Sequence, residues 1–195
     1  MSSRLRKSLS AVLAVLAVLA LGACGDSHTR VTAGTYAGES GANAPYLDVG
    51  PLTYEVQLSR ELNPTNTEDG AYLQGLSPAE RVLGPGQEWF AVFVQVYNNT
   101  SRELSSASEL TISDTQGNTY TPLVPDQANP FAYRVGMVPA KGQLPALETI
   151  ANAGPTQGAL LLYKIQTVSL DNRPLELRIA DPTHTSQTAS AELDV

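Results

Sequence analysis

One cysteine, two histidines and two methionines are spread over 195 residues. A lone cysteine excludes an internal disulfide, and His28 and His184 stand too far apart to join it in a zinc site. Methionine occurs only at Met1 and Met137, so the Met and His clusters of a copper carrier are missing too. Basic residues are scarce, 12 against 19 acidic for a formal charge of −7. That balance gives no footprint for gripping a phosphate backbone, and nucleic acid is not an expected partner. Gly-x-Ser-x-Gly elbows, Walker loops, His-Glu-x-x-His helices and paired Cys-x-x-Cys motifs are absent. A Ser-His-Asp triad would have to borrow its histidine from the polar stretches around His28 or His184, which cannot hold the required geometry. The chain is therefore expected to be no enzyme and to carry no metal and no cofactor. Adjacent Glu68 and Asp69 read as charges at the start of a helix capped by Asn66 or Thr67 rather than as an acid/base pair.

Long apolar runs are lacking as well. The run from Ala11 to Leu21 would rise only about 16 Å as a helix, short of the roughly 20 residues that cross a bilayer core. It follows Arg4, Arg6 and Lys7 and leads through Gly22 and Ala23 into Cys24, the layout of an export signal. Leu21-Gly22-Ala23-Cys24 resembles the bacterial lipoprotein lipobox. That resemblance implies that Cys24 is the lipidation site and the new N-terminus, with residues 1–23 a lipoprotein signal peptide. Two acyl chains at about 0.8 kcal/mol per buried methylene would then hold the chain on the outer face of the cell membrane. Loss of residues 1–23 would leave nine basic against nineteen acidic residues, a domain repelled by anionic headgroups.

Residues 24–51 are rich in Gly, Ala, Ser, Thr and Asn without a helical or strand period and read as the lipidated Cys and a flexible linker. Residues 182–195 read as a frayed polar tail. Between them, residues 52–181 alternate with period two. Tyr54, Val56 and Leu58 share one face of a half-buried strand, with Glu55 and Gln57 on the other. Trp89 to Tyr97 is apolar on both faces, the pattern of a central strand. Leu110 and Ile112 enter a hairpin through Asp114-Thr115-Gln116-Gly117-Asn118 before Tyr120, with Gly117 suited to positive φ. Gly158 to Ile165 is a second doubly covered strand, and Pro174 to Ala180 turns Leu175, Leu177 and Ile179 inward. Ser77-Pro78-Ala79-Glu80 is a capping box good for a turn or two of helix, and Thr67 to Leu76 is a weaker helical candidate broken by Gly70 and Gly75. No long amphipathic helix is present, so the expected fold is all-β: an antiparallel sandwich with a short helical insert.

The stretch Gly86 to Asn99, the turn Asp114 to Tyr120, the leucine-rich strand at Leu160 and the strand Leu175 to Ile179 resemble the immunoglobulin-like domain of unknown function found in bacterial, actinobacterial-type lipoproteins. Small secreted mycobacterial antigens have a similar sandwich. The resemblance spans roughly residues 53–181 and implies an immunoglobulin-like β-sandwich in a lipoprotein context, with no catalytic residues to carry over.

One connection stands out from the scaffold. Asn129-Pro130-Phe131-Ala132-Tyr133-Arg134 places two aromatics and an arginine in a Pro-punctuated loop. Phe131, Tyr133 and Arg134 are candidate partner-binding residues, because such side chains anchor interfaces. The competing reading has Phe131 and Tyr133 plugging one end of the sandwich and Arg134 pairing with a surface carboxylate. The function expected is a lipid-anchored extracytoplasmic binding or accessory domain for an envelope protein or glycan. The alternative is a carrier of a small hydrophobic ligand, or an envelope enzyme with a carboxylate and Tyr site. An apolar cavity of several hundred Å³ between the sheets would favour the carrier.

Overall fold

The computed structural model describes residues 31–32 and 46–193. Cys24 and His28 lie outside the described residues. In chain order the elements are β1 (Val31–Thr32), β2 (Tyr46–Val49), β3 (Leu52–Leu62), α1 (Thr67–Tyr72), β4 (Gln87–Tyr97), β5 (Leu104–Ser105), β6 (Glu109–Ser113) and β7 (Thr119–Tyr120). There follow β8 (Met137–Val138), β9 (Gln143–Leu144), α2 (Ile150–Ala153), β10 (Ala159–Gln166), α3 (Thr167–Asp171), β11 (Leu175–Ala180) and β12 (Thr188–Leu193). Among the described residues no helix is long and apolar enough to cross a membrane.

Two sheets face each other. Sheet I has the order β1-β12-β11-β6-β7, and sheet II the order β10-β4-β3-β2 with β9 continuing beside the end of β4. All their pairings are antiparallel except β1 with β12. The all-β antiparallel sandwich with a short helical insert is thus the observed fold. Alternation explains its core: Phe90, Val92, Val94 and Val96 of β4 meet Tyr54 and Val56 of β3 and, from sheet I, Ile112, Leu177 and Ile179, all fully buried. Each such side chain contributes about 1.5–3 kcal/mol by leaving water. The predicted hairpin forms as well, with Asp114 Oδ1 accepting the N–H groups of Gln116 and Asn118 and Gly117 at φ +86°.

β4 and β10 are apolar on their second face because a second core lies outside sheet II. Trp89, Ala91, Phe93, Leu160 and Leu162, with Leu62 at the end of β3, are covered there by Tyr72, Leu73 and Leu76 of the insert. Asn66 caps α1 by accepting the Glu68 N–H at 2.8 Å. Asp69, buried in the first turn, pairs with Arg60 of β3 and accepts the Asn63 N–H at 2.8 Å. Six residues make no stable helix alone, so packing holds this one: the Tyr72 ring stands edge-on against Phe93 and Phe131, 5.1 and 4.9 Å between centroids. The weaker helical candidate is therefore the helix that forms. The Ser77 capping box does close, with Ser77 N–H on Glu80 Oε2 at 2.9 Å, but the chain makes a single turn there. Its following apolar residue, Val82, is 67% exposed and has no core to enter.

Both ends of the domain are more ordered than the linker and tail expected from sequence. Residues 24–51 are not linker throughout, since β2 pairs with β3 and buries Leu47 and Val49, and Val31–Thr32 add an edge to sheet I. Nor are residues 182–193 the frayed tail expected of 182–195, since β12 lies along β11 from Thr188 to Leu193. Asp181 organises the intervening turn by accepting the N–H groups of Thr183 and His184. Gly50, at φ +58°, lets the β2–β3 turn abut this carboxylate; a Cβ there would fall 2.1 Å from Asp181 Oδ2.

Candidate functional site

The expected loop runs along the free edge of β10, where Tyr133 N–H donates to Leu160 O and Leu160 N–H to Phe131 O, each at 2.8 Å. Tyr133 turns into the sandwich core, and its hydroxyl donates to Ala107 O at 2.8 Å. Tyr54 completes the tie by accepting the Ala107 N–H at 2.6 Å. Burial raises both phenols above the usual tyrosine range. Arg134 meets no carboxylate. Its guanidinium donates to the carbonyls of Pro125, Asp126 and Asn129 and so fixes the loop's curvature. Phe131 is half-buried against Tyr72. These three residues line an open cleft of about 460 Å³ whose opposite wall is Leu144, Pro145, Ala146 and Thr149. The cleft lies at the sheet's edge rather than between the sheets.

A second surface lies on the outer face of sheet II, beyond the apolar half covered by α1. Strand register sets Asp48, Thr53, Tyr97 and Gln143 in one row across β2, β3, β4 and β9, and Tyr46, Glu55 and Gln95 in the next. Glu55 and Gln95 are buried, Thr53, Tyr97 and Gln143 half-buried, and Asp48 and Tyr46 exposed. The Tyr97 hydroxyl donates to Glu55 Oε2 at 2.7 Å and also touches Gln95. A hydroxyl has one proton, which the carboxylate takes as the stronger acceptor. Tyr46 stands directly opposite Glu55 in the strand register, near enough for that charge to act on its phenol. Burial, then Glu55, raises Tyr97 well above the usual phenol range, and the charge of Glu55 is the main cause of the rise at Tyr46. Asn152 of α2 reaches over the row, accepting from Gln143 Nε2 at 3.0 Å.

Beside Tyr97 a hollow of about 400 Å³ opens, lined by Asn99, Lys141, Gln143, Leu147 and Glu148. Lys141 holds a left-handed backbone, φ +54°, while donating Nζ–H to Asn99 O at 2.6 Å. At the boundary of the two halves β3 carries a bulge between Val56 and Leu58. Gln57 sits in it, 3% exposed, with neither end of its amide meeting a hydrogen-bond partner. Glu68 and Asp69 are engaged with Tyr72 and Arg60 at the start of α1. Among the described residues no three of His, Cys, Asp and Glu gather as a metal ion would require. His184 is exposed in its turn, 3.6 Å from Asp181.

The outer-face row was not singled out in the sequence. Its signal is nonetheless there, since Trp89, Ala91, Phe93, Gln95 and Tyr97 keep one face of β4 while changing from apolar to polar at Gln95.

No family model matches the chain, and no curated protein matches it. Solved structures do. The Bacillus subtilis protein ycdA, a predicted lipoprotein, is similar at 10% identity with a TM-score of 0.50 over 76% of this chain, which spans 38% of the length of that protein. The yjhA protein of Bacillus subtilis is similar at 10% identity and a TM-score of 0.51, covering 77% of this chain and 97% of that one. An uncharacterized β-sandwich protein of Clostridium difficile 630 aligns at 10% identity over 87% of this chain and 97% of its own, with a TM-score of 0.45. At such identity the first two show a likeness of fold alone, the β-sandwich.

Proposed function

We propose that the protein is a non-catalytic, extracytoplasmic binding module held to the cell membrane by lipid on Cys24, with an envelope component as its partner. What carries this reading is where the open space lies. Among the described residues, apolar side chains pack between the sheets, while the two hollows above and a third of about 430 Å³ beside Gly50, Arg102 and Asp181 are built by connections and by one outer sheet face, as surfaces for others to meet. The lipobox-like run Leu21 to Cys24 and the likeness to ycdA support the anchor. Mass measurement of the mature N-terminus tests it: a diacylated Cys24 is expected, and Cys24→Ser should release the chain from washed membranes. A photo-reactive residue at Leu147, 68% exposed between the two hollows, should capture a partner in intact cells. Capture that is unchanged with the reactive group moved to Gln116, in the distant hairpin turn, would remove the binding reading.

The second reading, a carrier of a small hydrophobic ligand, draws on the edge cleft, whose lining of Pro130, Phe131, Ala132, Leu144 and Pro145 suits an apolar guest. Enhanced fluorescence of a lipophilic dye, lost in Phe131→Ala, would favour it.

A further inference from the structure

We propose that the polar half of the outer face of sheet II binds an uncharged glycan chain, a reading that rests on the binding-module assignment and names its ligand class. Tyr97 directs its hydroxyl to the buried carboxylate of Glu55, and Tyr46 stands opposite the same residue on the neighbouring strand. Tyr46 is 53% exposed and leaves a large aromatic side chain open to solvent. Tyr97, ordered by its bond before any ligand arrives, and the exposed Tyr46 give this face a two-tyrosine platform, and the ordered ring lowers the entropic cost of binding. Sugar rings match it, since their C–H faces pack on aromatic rings while their hydroxyls point to the rim.

The rim supplies suitable partners. Asp48, which already accepts from the Thr53 hydroxyl, and Glu148 bring carboxylates, and Gln143, whose Nε2 donates to Pro145 O and Asn152 Oδ1, brings its amide oxygen, all of them acceptors for sugar hydroxyls. The row crosses four strands, roughly 14 Å at the usual interstrand spacing, the reach of a short oligosaccharide. At its β9 end the hollow of about 400 Å³ beside Tyr97 has room for a terminal sugar. Lys141, at the third position of the turn closed by the Gly142 N–H on Pro139 O, takes the left-handed backbone in the wall of that hollow. Gln57, buried on the same strand face as Glu55 with an unpartnered amide, shows polar groups placed here beyond what the fold uses. Charge narrows the ligand: Asp48, Glu55 and Glu148 outnumber Lys141, so phosphate-bearing or uronic-acid chains are repelled and neutral sugars are not.

Calorimetric titration of the full lipidated chain in detergent micelles tests this, with chitohexaose and cellohexaose as neutral probes and oligogalacturonate as the charged one. At least one neutral hexasaccharide should bind and oligogalacturonate should not. Tyr46→Ala should weaken binding about tenfold, the scale of one lost aromatic contact, and Gln143→Ala several-fold. Tyr46 lies outside the core, so the thermal midpoint of Tyr46→Ala should stay at the wild-type value, and that of Gln143→Ala should fall only by the loss of its bonds to Asn152 and Pro145. Phe131→Ala, in the other cleft, should leave the titration unchanged. Silence of both neutral sugars with the wild-type chain, preference for oligogalacturonate, or undiminished binding by Tyr46→Ala would each overturn the proposal. Cys24→Ser separates it from the anchor: sugar binding should persist in that variant, so an anchor that fails leaves the platform standing, and the reverse.

Discussion

Along one face of β4, Trp89, Ala91 and Phe93 are roofed by α1 and its neighbours, while two residues further on Gln95 and Tyr97 carry over them little more than the side chain of Asn152. Strand, face and alternation are shared; only the side-chain chemistry changes. The apolar half cannot be left in water, so the insert after β3 supplies Tyr72, Leu73 and Leu76 to cover it, whereas the polar half can stay at the surface and serve a second molecule. The bulge at Gln57 marks the boundary, because one extra residue on β3 sets Leu58 and Leu62 opposite Phe93 and Trp89 in the apolar half.

The contrast breaks most severely at Phe93. Phe93→Ala should lower unfolding free energy by about 3–5 kcal/mol in urea titration; a loss under about 1 kcal/mol would mean that α1 does not pack on sheet II in solution.

Next comes the clasp of the insert. Burial pushes the Asp69 carboxyl up, but the hydrogen bonds from Arg60 and the Asn63 N–H outweigh it, so its pKa sits below its ordinary 3.8. Its stabilisation is then full above about pH 4 and lost as pH falls through the lower folded value. Asp69→Asn should cost about 1–3 kcal/mol at neutral pH, toward the low end because Arg60 is partly exposed to solvent. Stability measured from pH 5 down to 2 should fall less steeply in that variant than in wild type, and parallel slopes would show the pair to be idle.

The smallest effect belongs to the boundary. Gln57→Leu should be neutral or raise stability by about 1 kcal/mol, since it removes a buried amide without a partner. A loss of about 2 kcal/mol would show that the amide is engaged in the fold.

The sandwich was legible where apolar residues recur on one face. Phe90 to Val96, Leu110 with Ile112, and Leu175 to Ile179 announce their strands, and Gly117 its turn. β12 was not, because its inward positions are Ala189, Ala191 and Leu193, too small to stand out until β11 supplies the partner. β2 was hidden for a related reason, four residues being too few to show a period inside a Gly- and Ala-rich stretch. The second face of β4 was read as covered, but what covers it follows from the packing of Tyr72 and the Asp69–Arg60 pair, which no local pattern encodes. Of the candidate loop, residue types showed anchoring capacity but not direction. Tyr133 spends its hydroxyl on Ala107 and Arg134 its guanidinium on carbonyls, leaving Phe131 as the aromatic of the cleft. Glu55 meets Gln95 and Tyr97 only through the register of β3 with β4.

With Cys24 lipidated as proposed, the parallel seam between Val31–Thr32 and β12 would shorten the leash. Were the stretch up to β2 all slack, a lipid on Cys24 would let the domain wander and tumble freely. With Val31 stitched beside Ala191, six residues lie between it and Cys24, a span of no more than about 25 Å when taut. Because that strand runs parallel to β12, Val31 stands at the end of the seam nearer the turn at Asp181 and Gly50, the pole near which Asp48 and Tyr97 also lie. The tyrosine pair would then ride low, facing whatever coats the bilayer, with the Gly117 hairpin pointing away.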